Sequence, residues 1–183
     1  NTRIVGIEYP LKSMDKRQKE MFEYLIDMDP LYELTADHKQ LLWTLRHHCI
    51  NYATLLPKIL QCVVWGNIEF RLEMYRLLQL WTIPLSIVDV IELLDAKYPD
   101  AMVRDYAVRI LRTLSDDELK LYLLQLVQCL KYEHYHHSTL SRFLIERAIA
   151  SPLNIGHHLF WHLKAELHNP HTCERFGLIL EEY

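Results

Sequence analysis

Eleven histidines make a metal site the first chemistry to consider in this sequence of 183 residues. His158 and His162 are four residues apart and Glu166 follows after four more, so a helix would place all three on one face. Such nitrogen and oxygen ligands suit zinc, but the protease pattern H-E-x-x-H is absent. The same stretch carries an apolar stripe made of Ile155, Leu159 and Leu163. We therefore expect both histidines at the edge of a helix core and no metal site.

Other catalytic and cofactor-binding patterns are also missing. The four cysteines have no C-x-x-C spacing, which favours free buried thiols, and no G-x-S-x-G motif presents a nucleophilic serine. Four scattered glycines supply no phosphate-binding loop, and no D-F-G motif is present to hold a metal-bound nucleotide. The acidic pairs Asp116-Asp117 and Glu181-Glu182 are interpreted as helix-start charge and exposed surface. The sequence predicts no catalytic, cofactor-binding or metal-binding residue.

Composition places the chain among folded helical proteins. Half of the residues are hydrophobic, which excludes a disordered tail, and the scarcity of glycine favours helices over an all-β fold. The net charge is -4 without a basic stripe, so nucleic acid is not expected as a partner. The sequence contains no long uncharged apolar run, so direct insertion into a membrane is not expected. The absence of an initial Met indicates a piece of a longer protein.

The pattern of apolar residues predicts an all-α fold from residue 15 onward. Residues 1–14 carry a short strand pattern, which we assign to a linker or to the tail of a preceding β-sandwich domain. Residues 15–183 are predicted to form about nine or ten short helices. Their start signals are Thr35, Asn67, Ser86-x-x-Asp89, Ser115-x-x-Glu118 and Ser151-Pro152. One face of the helix after Asn67 is assigned to Leu72, Tyr75 and Leu78.

Two segments with matching apolar positions suggest that the helices stack as antiparallel pairs. Residues 100–108 have the pattern D-x-x-V-R-x-x-A-V, which resembles the second helix of HEAT and armadillo repeats. A shift of 37 positions superimposes the apolar positions Val103, Tyr106, Ala107 and Val108 on Leu140, Phe143, Leu144 and Ile145. We therefore predict an α-α superhelix in which Val108 and Leu126 are buried. Such repeats build extended surfaces that bind other domains.

An ordered series of short runs resembles the helical accessory (PIK) domain of phosphatidylinositol 3-kinases. The runs are Asp29–Thr35, Leu41–His47, Leu56–Lys58, Glu92–Asp95, Tyr98–Asp100, Val103–Arg104, Ala107–Val108, Tyr122–Gln128, Leu130–Glu133, Arg142–Leu144, Ile155–His157, Phe160–Lys164 and Arg175–Gly177. The most specific are Gln125–Gln128 and Phe160–Lys164. Resemblance to class I enzymes in Leu167–Asn169 and Arg175–Glu181 favours that class, although Leu94–Lys97 is similar to class II. Phosphatidylinositol 4-kinases match less well.

The resemblance implies a non-catalytic scaffold in a cytoplasmic lipid kinase that is recruited to membranes. The implied partners are the lipid-binding β-sandwich, the Ras-binding domain and the kinase domain of the same protein, with no cofactor bound in this segment. In class I enzymes an acidic patch meets a basic surface on a regulatory Src-homology-2 module. Glu33 matches one acid of that patch, Ala36 stands at the second, and Asp37 is its candidate substitute. The alternative is an independent helical-repeat module for protein–protein interaction.

Overall fold

The computed structural model describes residues 15–28, 32–81 and 86–183. Every regular element in these ranges is helical, which confirms the predicted all-α, repeat-like fold class. The strand predicted within residues 1–14 lies outside the described residues. So does Asp29-Pro30, whose proline predicts the end of the first helix. The chain divides into two compact units, residues 1–84 and residues 85–183.

The first unit contains five of the described helices. They are α1 (Lys16–Asp27), α2 (Ala36–Thr44), α3 (Arg46–Cys49), α4 (Leu56–Leu60) and α5 (Ile68–Leu80), with a 3₁₀ turn at Ala53–Leu55. Helix α1 starts with a capping box between Asp15 and Gln18, and the Thr35 hydroxyl accepts a hydrogen bond from the His38 amide at the start of α2. The predicted cap at Asn67 is confirmed, since its side chain accepts from the Glu69 amide. Local capping chemistry therefore sets where α1, α2 and α5 begin.

The face predicted for α5 is wrong. Leu72 is 48% exposed and Tyr75 is partly exposed, whereas Met74, Leu77 and Leu78 are buried. Residues six apart are separated by about 120° around a helix, so Leu72 and Leu78 cannot both face one narrow core. Spacings of three and four, as in Met74, Leu77 and Leu78, keep a stripe on one side of the helix.

The second unit contains the remaining six described helices. They are α6 (Ile87–Glu92), α7 (Ala101–Leu111), α8 (Asp116–Cys129), α9 (Thr139–Ala150), α10 (His157–Glu166) and α11 (Cys173–Glu182). Both predicted capping boxes, at Ser86 and at Ser115, are present. The apolar stripe of α8 is buried at Leu119, Leu123, Leu126 and Val127, and Leu130 just after the helix is buried as well. Helix α7 packs against α9, and all eight residues of the predicted repeat are buried on these two helices.

A tight passage connects α9 to α10. The predicted start at Pro152 is a π-helical turn, Pro152–Gly156, in which the Ile155 and Gly156 amides both donate to the Ser151 carbonyl. A Cβ atom on Gly156 would lie 2.9 Å from the Ala148 carbonyl oxygen and 2.2 Å from the Tyr183 hydroxyl. Gly156 is therefore required by close approach of the backbone.

Tryptophan at a helical position usually packs in a core, but the four tryptophans of this chain differ in burial. Trp81 is buried, and Trp43 stacks on Phe70 with ring centroids 4.7 Å apart. Trp161 is 53% exposed, because it lies two residues from each of the buried Leu159 and Leu163 and so points away from them.

Candidate interaction site

The acidic residues singled out by the sequence flank the start of α2. Both Glu33 and Asp37 are exposed, on either side of the Thr35 cap. The free amides of a helix start favour negative charge, and Asp37 lies in the first turn of α2. We call these two carboxylates the acidic surface. It offers two solvent-accessible negative charges beside a positive helix end, which suits contact with a basic partner.

A shallow groove adjoins the acidic surface between α1 and α2. Its volume is ≈ 260 Å³, and its lining residues are Arg17, Gln18, Met21, Thr35, Asp37, His38 and Leu41. Methionine and leucine side chains supply apolar walls, whereas Arg17 and Asp37 supply opposite charges. A groove of this mixed character fits the edge of a protein interface better than an enclosed small-molecule site.

The three residues considered as metal ligands, His158, His162 and Glu166, make other contacts in the structure. Glu166 accepts a hydrogen bond from Gln128 Nε2 at 2.6 Å and pairs with Lys131 Nζ at 2.9 Å. His158 and His162 are half-buried beside the buried Leu159 and Leu163, and burial lowers the pKa of His162, with a smaller contribution from His158. Across the described residues, no three His, Cys, Asp or Glu side chains are placed to hold a metal ion.

The surroundings of the cysteines are those of structural rather than reactive thiols. All four cysteines are free, with Cys173 only half-buried where a buried thiol was expected. Burial raises the pKa of the Cys62 thiol to about 12 and that of Cys129 to about 11, and it also raises the pKa of Cys49. A thiolate nucleophile is disfavoured at these three positions.

One member of each acidic pair forms an ion pair between elements. Asp116, in the first turn of α8, pairs with Arg147 of α9. Glu182, near the end of α11, lies 3.2 Å from His137 Nδ1 in the loop before α9, a contact that is ionic only when the histidine is protonated. Both contacts join elements of the second unit.

Two basic residues in buried positions had no signal in the sequence. Lys58 is 1% exposed, and Arg104 is 3% exposed beside Glu133. Both belong to runs that carried the family resemblance, but neither the residue type nor its spacing indicated burial.

None of the helices within the described ranges combines the length and the apolar character needed to span a bilayer.

Comparison with known proteins provides a match for nearly the whole chain. Residues 10–183 match the accessory domain (PIK domain) of the phosphoinositide 3-kinase family. Three proteins of Dictyostelium discoideum are similar in sequence. Phosphatidylinositol 3-kinase 1 is 43% identical over 184 residues, which cover 100% of this chain and 12% of that protein. Phosphatidylinositol 3-kinases 3 and 2 are each 41% identical, over 95% and 94% of this chain and 10% and 9% of their own lengths. The chain thus spans about a tenth of the length of these relatives.

Proposed function

The chain belongs to the phosphoinositide 3-kinase family of accessory (PIK) domains, and from this membership we propose that it is a non-catalytic scaffold within a phosphatidylinositol 3-kinase. The match across residues 10–183 carries the proposal. The parent protein transfers a phosphoryl group from ATP to phosphatidylinositol, with ATP bound in its kinase domain and no cofactor bound in this segment. It works in the cytoplasm and is recruited to membranes, where its lipid substrate resides.

Exposed apolar side chains support the scaffold role. Leu153 is 91% exposed and Trp161 is 53% exposed on the segment that leads into and forms α10. Leu121 and Leu124 are exposed on α8. Apolar residues of this size at a surface often mark sites where another domain docks. We assign them to contacts with the kinase, lipid-binding and Ras-binding domains of the same protein rather than to an independent interaction module.

Enzyme assays test the scaffold proposal. The full-length protein and the 183-residue fragment are incubated with ATP and phosphatidylinositol vesicles, and product phosphorylated at the 3-position is measured. The full-length protein is expected to be active, and the fragment inactive even at a hundredfold higher concentration. Activity in rigorously pure fragment, or none in folded full-length protein, would refute the proposal.

The acidic surface is the second part of the proposal. The parent is assigned to class I on the resemblance of residues 175–181, and Glu33 with Asp37 is the place where a basic regulatory surface docks and inhibits the kinase. Exposure of both carboxylates beside the start of α2 supports this role. Ala36 occupies the position of the family's second acid, so Asp37 supplies the second charge.

Charge reversal at Glu33 tests the docking role. In the full-length kinase with its regulatory partner, Glu33→Lys is expected to raise basal activity because it replaces attraction by repulsion. Its effect on the free energy of unfolding is expected to stay within about 0.5 kcal/mol, as for other exposed changes. Glu20→Lys on α1, also at an exposed glutamate, is the matched control. Equal inhibition of wild type and Glu33→Lys would remove the docking role and leave the scaffold role intact.

A further inference from the structure

Lys58 on α4 is buried at the carboxyl end of α1. Its ammonium nitrogen donates hydrogen bonds to the carbonyl oxygens of Leu25, at 2.6 Å, and Met28, at 2.5 Å. The side chain is 1% exposed, which is rare for lysine because burial of an ammonium group is costly unless it has close partners. Lys58 therefore contributes to the packing of α4 against the end of α1, unlike a lysine on the surface.

The end of α1 needs these donors. The last carbonyl groups of a helix have no partners within the helix and carry partial negative charge, and α1 has no basic residue in its last turn. Lys58 supplies the missing positive charge from a segment thirty residues further along the chain. Thr54 adds a weaker hydrogen bond from its hydroxyl to the Ile26 carbonyl, at 3.4 Å. Residues 54–58 thus bind the end of α1 at three carbonyl groups.

The acidic surface begins five residues after this point of attachment. Glu33 directly precedes Leu34, which is buried, and Thr35, whose side chain caps α2, so its position is set by the start of that helix. Helix α2 packs against both α1 and α4. The contact that Lys58 makes between α4 and the end of α1 therefore supports the start of α2, beside which Glu33 lies.

We propose that Lys58 is the positioning residue of the acidic surface, and that it acts through the end of α1 to hold Glu33 in fixed geometry beside Asp37. What docks there rests on the proposed function, whereas the way in which the surface is held rests on Lys58 and its carbonyl partners. Lys58 itself is inaccessible to any partner, so its substitution changes no charge on the docking face.

Hydrogen exchange in the full-length kinase tests the positioning itself. Lys58→Met keeps an unbranched chain and removes all of its donors. Amides of residues 32–38 are expected to exchange at least about tenfold faster in this variant than in wild type. The control is Leu77→Ala, which changes a buried residue on α5. The two variants are compared under conditions in which their free energies of unfolding are equal. An equal increase at residues 32–38 in both variants would show general destabilisation and overturn the proposal.

Binding of a regulatory-type module tests the consequence. The probe is a purified Src-homology-2 module from a class I regulatory subunit, titrated against the full-length kinase. Lys58→Met is expected to raise the Kd about fivefold, because fewer molecules hold the competent geometry. If Lys58 acts through Glu33, the double variant with Glu33→Gln should bind no more than about twofold more weakly than Glu33→Gln alone. Fully additive losses would overturn the proposal.

These experiments distinguish the docking role of Glu33 from the positioning role of Lys58. Unchanged affinity in Glu33→Gln would overturn the docking role itself, while faster exchange at residues 32–38 in Lys58→Met would still support the positioning of that segment. Weakened binding in Glu33→Gln with unchanged binding in Lys58→Met would overturn only the positioning role. If Lys58→Met does not fold, Thr54→Val removes the weaker hydrogen bond at an exposed site. It should speed the same amides by a smaller factor, about twofold, and no change there would count against the proposal.

Discussion

Arg104 shows at the scale of single residues what the sequence could not reveal. Its Nε and Nη2 atoms donate to one oxygen of Glu133 at 2.9 and 2.8 Å, and Nη1 donates to the Asp95 and Tyr98 carbonyls at 3.2 and 3.4 Å. Removing one partner of such a pair leaves an uncompensated buried charge, which typically costs about 3–5 kcal/mol. The partners come from two separate places in the chain, residues 95–98 and Glu133, so no local pattern predicts them.

Val108 was predicted to be buried from its position in the repeat, and it is 1% exposed on α7. We expect Val108→Asp to lower the free energy of unfolding by about 3–5 kcal/mol, because it places an unpaired carboxylate in the core. Urea unfolding followed by circular dichroism measures the loss. Met102→Asp, at an exposed site on the same helix, should stay within about 0.5 kcal/mol. Similar losses in the two variants would contradict the assigned faces of α7.

Glu166 gives a dependence on pH. Hydrogen bonds from Gln128, and then from Lys131, lower the pKa of its carboxyl group, so the ionised form stabilises the fold at neutral pH. That contribution is present above the pKa of the unfolded chain and is lost as the pH falls through the lower folded pKa. Glu166→Gln should therefore reduce stability by about 0.5–1 kcal/mol at pH 7, and the difference should shrink toward pH 3. Unfolding curves at several pH values decide this, and a constant difference would contradict it.

At the scale of elements, helix starts could be predicted and helix faces only in part. Thr35, Asn67, Ser86 and Ser115 cap helices as expected, because a cap depends on three or four consecutive residues. The face of α5 was misassigned, because its apolar residues allow more than one stripe and only tertiary contacts select between them. The π-helical turn before α10 was also missed, because proline at a helix start does not distinguish a π turn from an α turn.

That turn can be tested through Gly156. We expect Gly156→Ala to cost about 1–3 kcal/mol, since the new methyl group would meet the Ala148 carbonyl oxygen at 2.9 Å and the Tyr183 hydroxyl at 2.2 Å. Gly66→Ala is the control, because nothing lies within 4 Å of its added Cβ atom. Tyr183→Phe should recover part of the loss, as the backbone oxygen remains. Equal stability of Gly156→Ala and Gly66→Ala in urea unfolding would contradict the close approach.

At the scale of the whole molecule, the fold class could be predicted from general features of the sequence, whereas the division of the chain into two compact units could not. Scarce glycine and apolar spacings of three and four are sufficient to predict an all-α protein. The existence of two compact units depends on which helices contact one another, as α7 with α9 and α10 with α11 do. Contacts such as that of α7 with α9 join residues about 35 to 40 positions apart, beyond the reach of a local pattern. The candidate site could likewise be predicted only in part. Glu33 was proposed from a resemblance, whereas the hydrogen bonds of Lys58 depend on the tertiary contact between α4 and the end of α1.

The division into two units predicts that stability is not uniform along the chain. Each unit has buried apolar residues of its own, such as Leu42 and Met74 in the first and Val108 and Leu126 in the second. Compact units of this kind often open separately, and exchange of amide hydrogens then reports the free energy of each opening. We therefore expect Val108→Asp to accelerate exchange across residues 86–183 by at least about a hundredfold, and across residues 15–81 by less than about tenfold. The reciprocal variant, Leu42→Asp, should show the opposite pattern. Equal acceleration in both ranges would mean that the chain unfolds as one cooperative body, and the division would then have no energetic consequence.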